Sequence, residues 1–399
     1  MDKRLSVHHI GGRAGSRSFP VNPRFESDVV NVLYDADPDC LAQVQDRNKQ
    51  HASELHILPY CLADACKTVS FHLNYDPYTS SIHETNPEYA SCYMFSGEYD
   101  YIYGETMAPV EKRTLDAVSM DSIFRDKKVP APPPDFLSID VEAAEYELLV
   151  GAKETLKDSV LALNIEIEFH KIHKDQKLFG DVCALLSEQG FYFAQFNELL
   201  PMSMYRTPVG LRGSGILING EALFLRKIDD LDKINDAAAR KTKLRKLAFI
   251  SILYGQIEYG LECLRRSAGS DDLAARPTAY GRFLDEFAAA AARVPKSYPG
   301  TFASYYTAKQ SLARFDAIAK PSMEGKSAIK RFLKSVPLIG PLMPSAKRLV
   351  MRVQDAYRRG VAPLTPYSEV ERLLLSWGLA KQANALWLKR LAQTPYIRS

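Results

Sequence analysis

The sequence predicts an α/β fold: a mostly parallel sheet flanked by helices, followed by an all-α C-terminal part. Up to about residue 228, short apolar runs alternate with helical stretches, the pattern of a parallel sheet. The first run ends in a glycine-rich turn, His9-Ile10-Gly11-Gly12-Arg13-Ala14-Gly15. Beyond it the β signals stop and apolar residues recur at helical spacing. A chain of 399 residues exceeds the usual single-domain size, and the expected divisions are 1–228, 229–320 and 321–399.

The strand candidates, in order, are Leu5–Ile10, Val29–Tyr34, Leu55–Tyr60, Thr68–Leu73, Phe136–Asp140, Leu161–Phe169, Phe191–Phe196, Gly215–Ile218 and Ala222–Arg226. Asp37-Pro38 reads as an N-cap followed by a proline at the first helical position. Further helices are expected from Thr114, over Glu142 to Val150 with Gly151 as C-terminal cap, and over Leu178 to Gln189, closed by Gly190. Four prolines between Pro130 and Pro134 require an extended lead-in to the next strand. Residues 74–103, rich in Tyr, Ser, Asn and Gly, read as a substrate-side insertion. Amphipathic helices are expected over Lys241–Arg266, Tyr280–Arg293, Ser345–Arg359, Ser368–Trp377 and Leu379–Leu391, with Ser368 and Glu371 in capping-box positions.

Net charge is +3, but residues 321–399 hold 14 Lys/Arg against 4 Asp/Glu. The basic stretch 326–359 alternates Lys/Arg with apolar residues. It fits either peripheral contact with an anionic membrane or a helical domain with a solvated basic face, and the second reading is preferred. Nucleic acid is set aside, because no recognised binding motif accompanies the charge. The six cysteines form no CxxC pair or zinc set, as in a cytosolic protein with reduced thiols. Met1–Ser6 lacks a signal-type apolar region, and the expected location is cytoplasmic. Nothing in the sequence sets an oligomeric state.

The chemistry-bearing residues form a series along the chain. A glycine turn directly after a strand lets backbone N–H groups approach a nucleotide-type ligand. Asp35 ends the next strand, 20 residues after Gly15, where a carboxylate accepts ribose hydroxyls. Pro20 and Pro23 spoil the helix that a pyrophosphate would need, which disfavours NAD or FAD and favours a phosphate-free nucleoside such as S-adenosylmethionine. Asp140 and Glu142 stand at the carboxyl end of a central strand, where open α/β sheets place ligands. Glu166 and Glu168 share one face of an otherwise apolar strand, costly unless they meet partners. Glu145 and Glu147 read as solvated helix surface.

In this order the pieces resemble the FkbM-type methyltransferases. They comprise Gly11/Arg13/Gly15, Asp35-Ala36-Asp37-Pro38, Thr114-Leu115-Asp116, Ile139 to Ala152, Glu166-Ile167-Glu168-Phe169, Gln176 to Asp181, and Ala222 to Leu225. The resemblance implies a Rossmann-like class I methyltransferase domain that uses S-adenosylmethionine to methylate a hydroxyl on a sugar, glycan or secondary metabolite. It places Gly11, Gly12, Arg13 and Gly15 around the methionine part, Asp35-Ala36-Asp37 at the ribose, Leu62-Ala63-Asp64 at the adenine, and Asp140 and Glu142 near the methyl. The chain departs from the pattern at His9, where the family carries Asp, at Ala143-Ala144, where it carries Gly-Ala or Gly-Tyr, and at Asp35-Ala36, where it carries Glu-Pro. His9 could still offer the cofactor one hydrogen bond. Proton acceptors for the alcohol are sought among His170, Asp140, Glu142 and Glu166. A divalent ion held by Asp140, Glu142 and Glu166 is the alternative, but no metal is expected, for lack of a tight hard-cation signature. The competing reading is a methyltransferase-like binding or scaffold protein without catalysis.

Overall fold

The computed structural model describes residues 4–11, 19–20, 22–36, 54–95, 100–205, 213–268, 278–294 and 366–393. Its centre is a seven-stranded sheet of β1 (Leu5–Gly11), β2 (Val29–Tyr34), β3 (Glu54–Leu58), β9 (Phe136–Asp140), β10 (Ala162–Glu168), β11 (Phe191–Met202) and β12 (Ile216–Arg226). The spatial order is β11-β12-β10-β9-β1-β2-β3. Pairing is parallel from β3 through β10, and β12 runs antiparallel to both of its neighbours. The mostly parallel sheet expected from the sequence is therefore present. The two runs expected at 215–218 and 222–226 are one strand, β12.

A second sheet of three strands, β4 (Cys61–Leu62), β8 (Pro109–Val118) and β5 (Lys67–Asn74), stands apart in the order β4-β8-β5. The run at 68–73 belongs here and not to the main sheet. The helix expected from Thr114 is corrected: Thr114 to Val118 is the end of β8, held by antiparallel pairing with β5. Helix α2 (Met120–Arg125) begins only after Ser119, whose side chain accepts the Ser122 N–H. In the insertion, β6 (Tyr93–Phe95) pairs with β7 (Asp100–Ile102), followed by α1 (Tyr103–Thr106).

One face of the main sheet is apolar. Ile10, Val32, Tyr34, Leu137, Ile139, Leu163 and Ile165 pack there against α2, α3 (Glu145–Val150), α4 (Lys153–Asp158) and α5 (Phe179–Glu188). Two helices, α7 (Ala237–Leu253) and α8 (Ile257–Ser267), occupy the stretch expected as one. The chain turns between them at Gly255, φ +79°, a conformation that glycine adopts without a Cβ penalty. Before them lies α6 (Ile228–Asp232), and after them α9 (Ala279–Ala292), α10 (Pro366–Ser376) and α11 (Ala380–Gln393).

The other face of the sheet meets α7. Phe136 stacks on Tyr254 at 5.8 Å, and Phe25 lies edge-on to Phe249 at 4.9 Å. The Lys246 ammonium reaches the Asp135 carboxylate at 2.7 Å, with both residues buried. By contacts the chain divides into two compact units, Met1–Ala288 with Leu374–Ser399, and Ala289–Leu373. The sheet and α7–α8 therefore lie in one unit. In the second unit Arg293 pairs with Glu369 at 2.8 Å. The basic stretch 326–359 and the helix expected at 345–359 fall outside the described residues. No helix among the described residues is long and apolar enough to cross a membrane.

Candidate functional site

The sheet's register brings the carboxylates together. Gly11 of β1 lies opposite Asp140 of β9. In the β9–β10 register Asn164 lies opposite Ser138 and Ile165 opposite Ile139, so the next positions in step are Asp140 and Glu166. Glu166 in turn faces Glu221 of β12. Gly11, Asp140, Glu166 and Glu221 thus form one row across the carboxyl end of the sheet, since residues two apart share a face. His9, Ser138 and Asn164 form the row beneath. Gly11 has φ +72°, and a Cβ there would come within 1.7 Å of the Asp140 carbonyl oxygen, so only glycine permits this approach.

Strand order reverses at β1, where the chain proceeds to β2 on one side and to β9 on the other. Open α/β sheets bind ligands at such a switch point. A cavity of about 530 Å³ lies here, lined by Ile10 and Gly11 of β1, Tyr34, Asp35 and Ala36 after β2, Asp140, Val141 and Glu142 after β9, and Leu62 of β4. Phe71, Arg113 and Leu115 of the small sheet and Pro77, Tyr78 and Ser80 of the insertion complete it. The volume suits a nucleoside-sized ligand.

After Asp140 the backbone makes a turn that the sequence did not reveal. Glu142 has φ +52° and Ala143 φ +83°, left-handed conformations that cost non-glycine residues energy. Ser81 Oγ donates to the Glu142 carbonyl, and the Val141 N–H donates to Glu145 Oε1 at 2.9 Å. The expected helix 142–150 consequently begins at Glu145, and Glu142 is free of it. Glu145 is 3% exposed, which corrects its reading as solvated surface.

The carboxylates shift one another. Burial raises the Asp140 carboxyl above its usual range, and its hydrogen bond with Glu166 opposes the rise. Burial pushes Glu142 well up, reinforced by Asp140, Glu168 and Glu145. Glu166 rises for the same reasons, with Asp140 as its first charged neighbour. Glu145 is pushed up to about 8 by burial. Asn219 donates Nδ2 to Glu166 Oε1 at 3.0 Å, and Asn164 donates to Glu221 at 2.9 Å. One oxygen each from Asp140, Glu142 and Glu166 lies within 4.8 Å of the others.

The structure gathers Gly11, Asp35, Ala36, Leu62, Asp140 and Glu142 on the cavity wall, with Glu166 behind Asp140. His9 is buried and its Nε2 meets Asn31 Oδ1 at 3.3 Å; it does not line the cavity. Ala63 is buried under Gly151, and Asp64 pairs with Lys67 at 2.5 Å. His170 lies 3.5 Å from the Tyr89 hydroxyl and outside the cavity lining. Gly12, Arg13, Gly15 and Asp37 lie outside the described residues. Sequence reasoning missed Tyr78, Ser80 and Arg113, which line the cavity, and Ser81, which holds the Glu142 carbonyl.

A seven-stranded sheet in this order, with β12 reversed and the cavity at the switch point, is the Rossmann-like architecture of class I methyltransferases. Residues 9–193, just under half of the chain, match the family model described as Methyltransferase FkbM domain. No curated protein matches the chain. Among solved structures, the methyltransferase FkbM from Methylobacillus flagellatus KT is similar at 12% identity and TM-score 0.31, over 56% of this chain and 44% of that one. A putative methyltransferase from Thermoplasma acidophilum gives 8% identity and TM-score 0.28, over 56% and 69%. A TehB-like SAM-dependent methyltransferase from Corynebacterium glutamicum gives 10% and 0.25, over 56% and 80%. The matched part of this chain thus spans less than half of the first of these proteins.

Proposed function

We propose that the chain is an S-adenosylmethionine-dependent O-methyltransferase acting on a hydroxyl of a sugar, glycan or glycolipid. The observation that carries this reading is a nucleoside-sized cavity at the switch point, with Asp35 on one wall and the half-buried carboxylates Asp140 and Glu142 on the other. The residues present fit the cofactor. Tyr34, Tyr60 and Leu62 supply an apolar wall for a base, and Asp35 stands at the end of β2 where a ribose binds. Gly11 lines the cavity beside Asp140, and the resemblance assigns Gly11, Gly12, Arg13 and Gly15 to the methionine part.

When bound, the cofactor supplies a methyl carbon on a sulfonium, whose bonding electron pair leaves with the sulfur. The chain's own work is to orient an alcohol and take its proton. Asp140 sits at the cavity wall, next to Glu166 in the sheet's register, and as a carboxylate it accepts the proton as the oxygen–methyl bond forms. Glu142, presented by the strained turn, borders the same space. The carboxylates are preferred to His170, which lies outside the cavity lining.

Asp140→Asn keeps the shape and removes the carboxylate. It should lower methyl transfer to a hydroxyl acceptor by about 10²- to 10⁴-fold while cofactor affinity changes only several-fold. Product S-adenosylhomocysteine, measured across a panel of glycan acceptors, reads this. Methylation confined to amine acceptors would overturn the O-methyl assignment.

A further inference from the structure

We propose that Asp140, Glu142 and Glu166 bind a divalent cation through oxygen alone, and that its open positions chelate two neighbouring oxygens of the acceptor. The cation site stands on geometry; only its acceptor half rests on the methyl-transfer reading.

The three oxygens lie within 4.8 Å of one another. Two ligands of one ion are at most two bond lengths apart, about 4.2 Å for Mg²⁺ and about 5 Å for Ca²⁺. The set therefore closes on an ion of this size class with shifts of at most several tenths of an ångström. It contains neither nitrogen nor sulfur, which selects a hard cation. The expectation of no metal came from the absence of a spacing signature, and these ligands converge from two strand ends and a turn.

A second observation comes from Asn219, which is not one of the three carboxylates. Asn219 is 8% exposed, and its amide donates Nδ2 to Glu166 at 3.0 Å. The Oδ1 of that same planar amide has no hydrogen-bond partner, and neither has the buried Glu166 Oε2. A buried acceptor without a donor costs about 1–3 kcal/mol. A cation satisfies such oxygens where no donor is at hand.

Asp140 and Glu142 also line the cavity, so positions of the ion left open by protein give onto the space an acceptor enters. Two adjacent open positions fit oxygens on neighbouring carbons, as in a sugar diol. A hydroxyl bound to the ion is acidified. Its proton passes to cavity water, its oxygen forms the bond to methyl carbon, and the carbon–sulfur pair leaves with sulfur. With the ion in place the three carboxylates serve as ligands and no longer as proton acceptors.

Mn²⁺ alone, titrated into the full chain and followed by the electron paramagnetic resonance of the free ion, tests the site. The expected result is one ion per chain, with affinity weakened at least about tenfold in both Glu166→Gln and Asp140→Asn. No uptake by the unaltered chain overturns the proposal, as does uptake that both folded variants retain. S-adenosylmethionine titrated in the presence of EDTA separates the two readings. Cofactor binding without Mn²⁺ uptake removes the cation alone, whereas Mn²⁺ uptake without cofactor binding keeps the cation and removes the methyl-transfer reading. A diol acceptor should gain more from Mn²⁺ than its monodeoxy analogue, and equal gains overturn the chelation.

Discussion

At Ala143 the backbone holds φ +83° in a buried position, where the resembled family carries glycine. Read on the sequence alone the exchange is a mild change inside a helix. In the structure it places a Cβ in a left-handed turn, at a cost of about 1–3 kcal/mol. Ala143→Gly should therefore stabilise the protein by about 1 kcal/mol, seen as a higher urea midpoint; a loss of stability would show that the strain is not there. Glu145 teaches a related lesson. Its sequence context is that of a solvated helix residue, and only the turn before it, which brings the Val141 N–H to its carboxylate, explains its burial. Burial raises it from 4.5 to about 8, so the native state keeps a proton that the unfolded chain has released. The stability this contributes is complete below about pH 4.5 and is lost as pH rises through 8. Glu145→Gln should shrink the loss of stability between pH 5 and pH 8 by about 3–4 kcal/mol. Equal pH slopes for the two proteins would contradict this.

Among elements, the parallel strands were legible because each is a bounded apolar run, and the site strands because Asp140 and Glu166 break such runs near their ends. The end of β8 was not. Thr114-Leu115-Asp116 carries helix-start chemistry, but pairing with β5 overrides it and turns Leu115 and Arg113 toward the cavity. Helix α7 was legible as a helix, though not its tie to the sheet. Lys246 and Asp135 are 4% and 5% exposed, and Asp135 also accepts the Ser6 N–H at 2.8 Å, so this ion pair joins α7 to the lead-in of β9 and to β1. Removing one partner leaves a buried charge. Lys246→Met should cost about 3–5 kcal/mol, and adding Asp135→Asn should recover most of it. Denaturant titration of the single and double variants decides, and equal destabilisation of both would count against the coupling.

Over the whole molecule, the Rossmann-like part was readable from periodicity and from distant agreement among Gly11, Asp35, Asp140 and Glu166. The division of the C-terminal half was harder to read, because α7 and α8 look like a separate helical domain in sequence yet share one compact unit with the sheet. Phe136 and Phe25 explain this: their partners Tyr254 and Phe249 lie more than 110 residues away in sequence, beyond any local pattern. The proposed function rests on the cavity at the switch point, and calorimetry with S-adenosylmethionine addresses it most directly. The account predicts saturable one-to-one binding that Asp35→Ala weakens by about tenfold or more, the loss of a charge-assisted hydrogen bond being worth about 1.5–3 kcal/mol. Absence of binding, or binding that Asp35→Ala leaves unchanged, would contradict it.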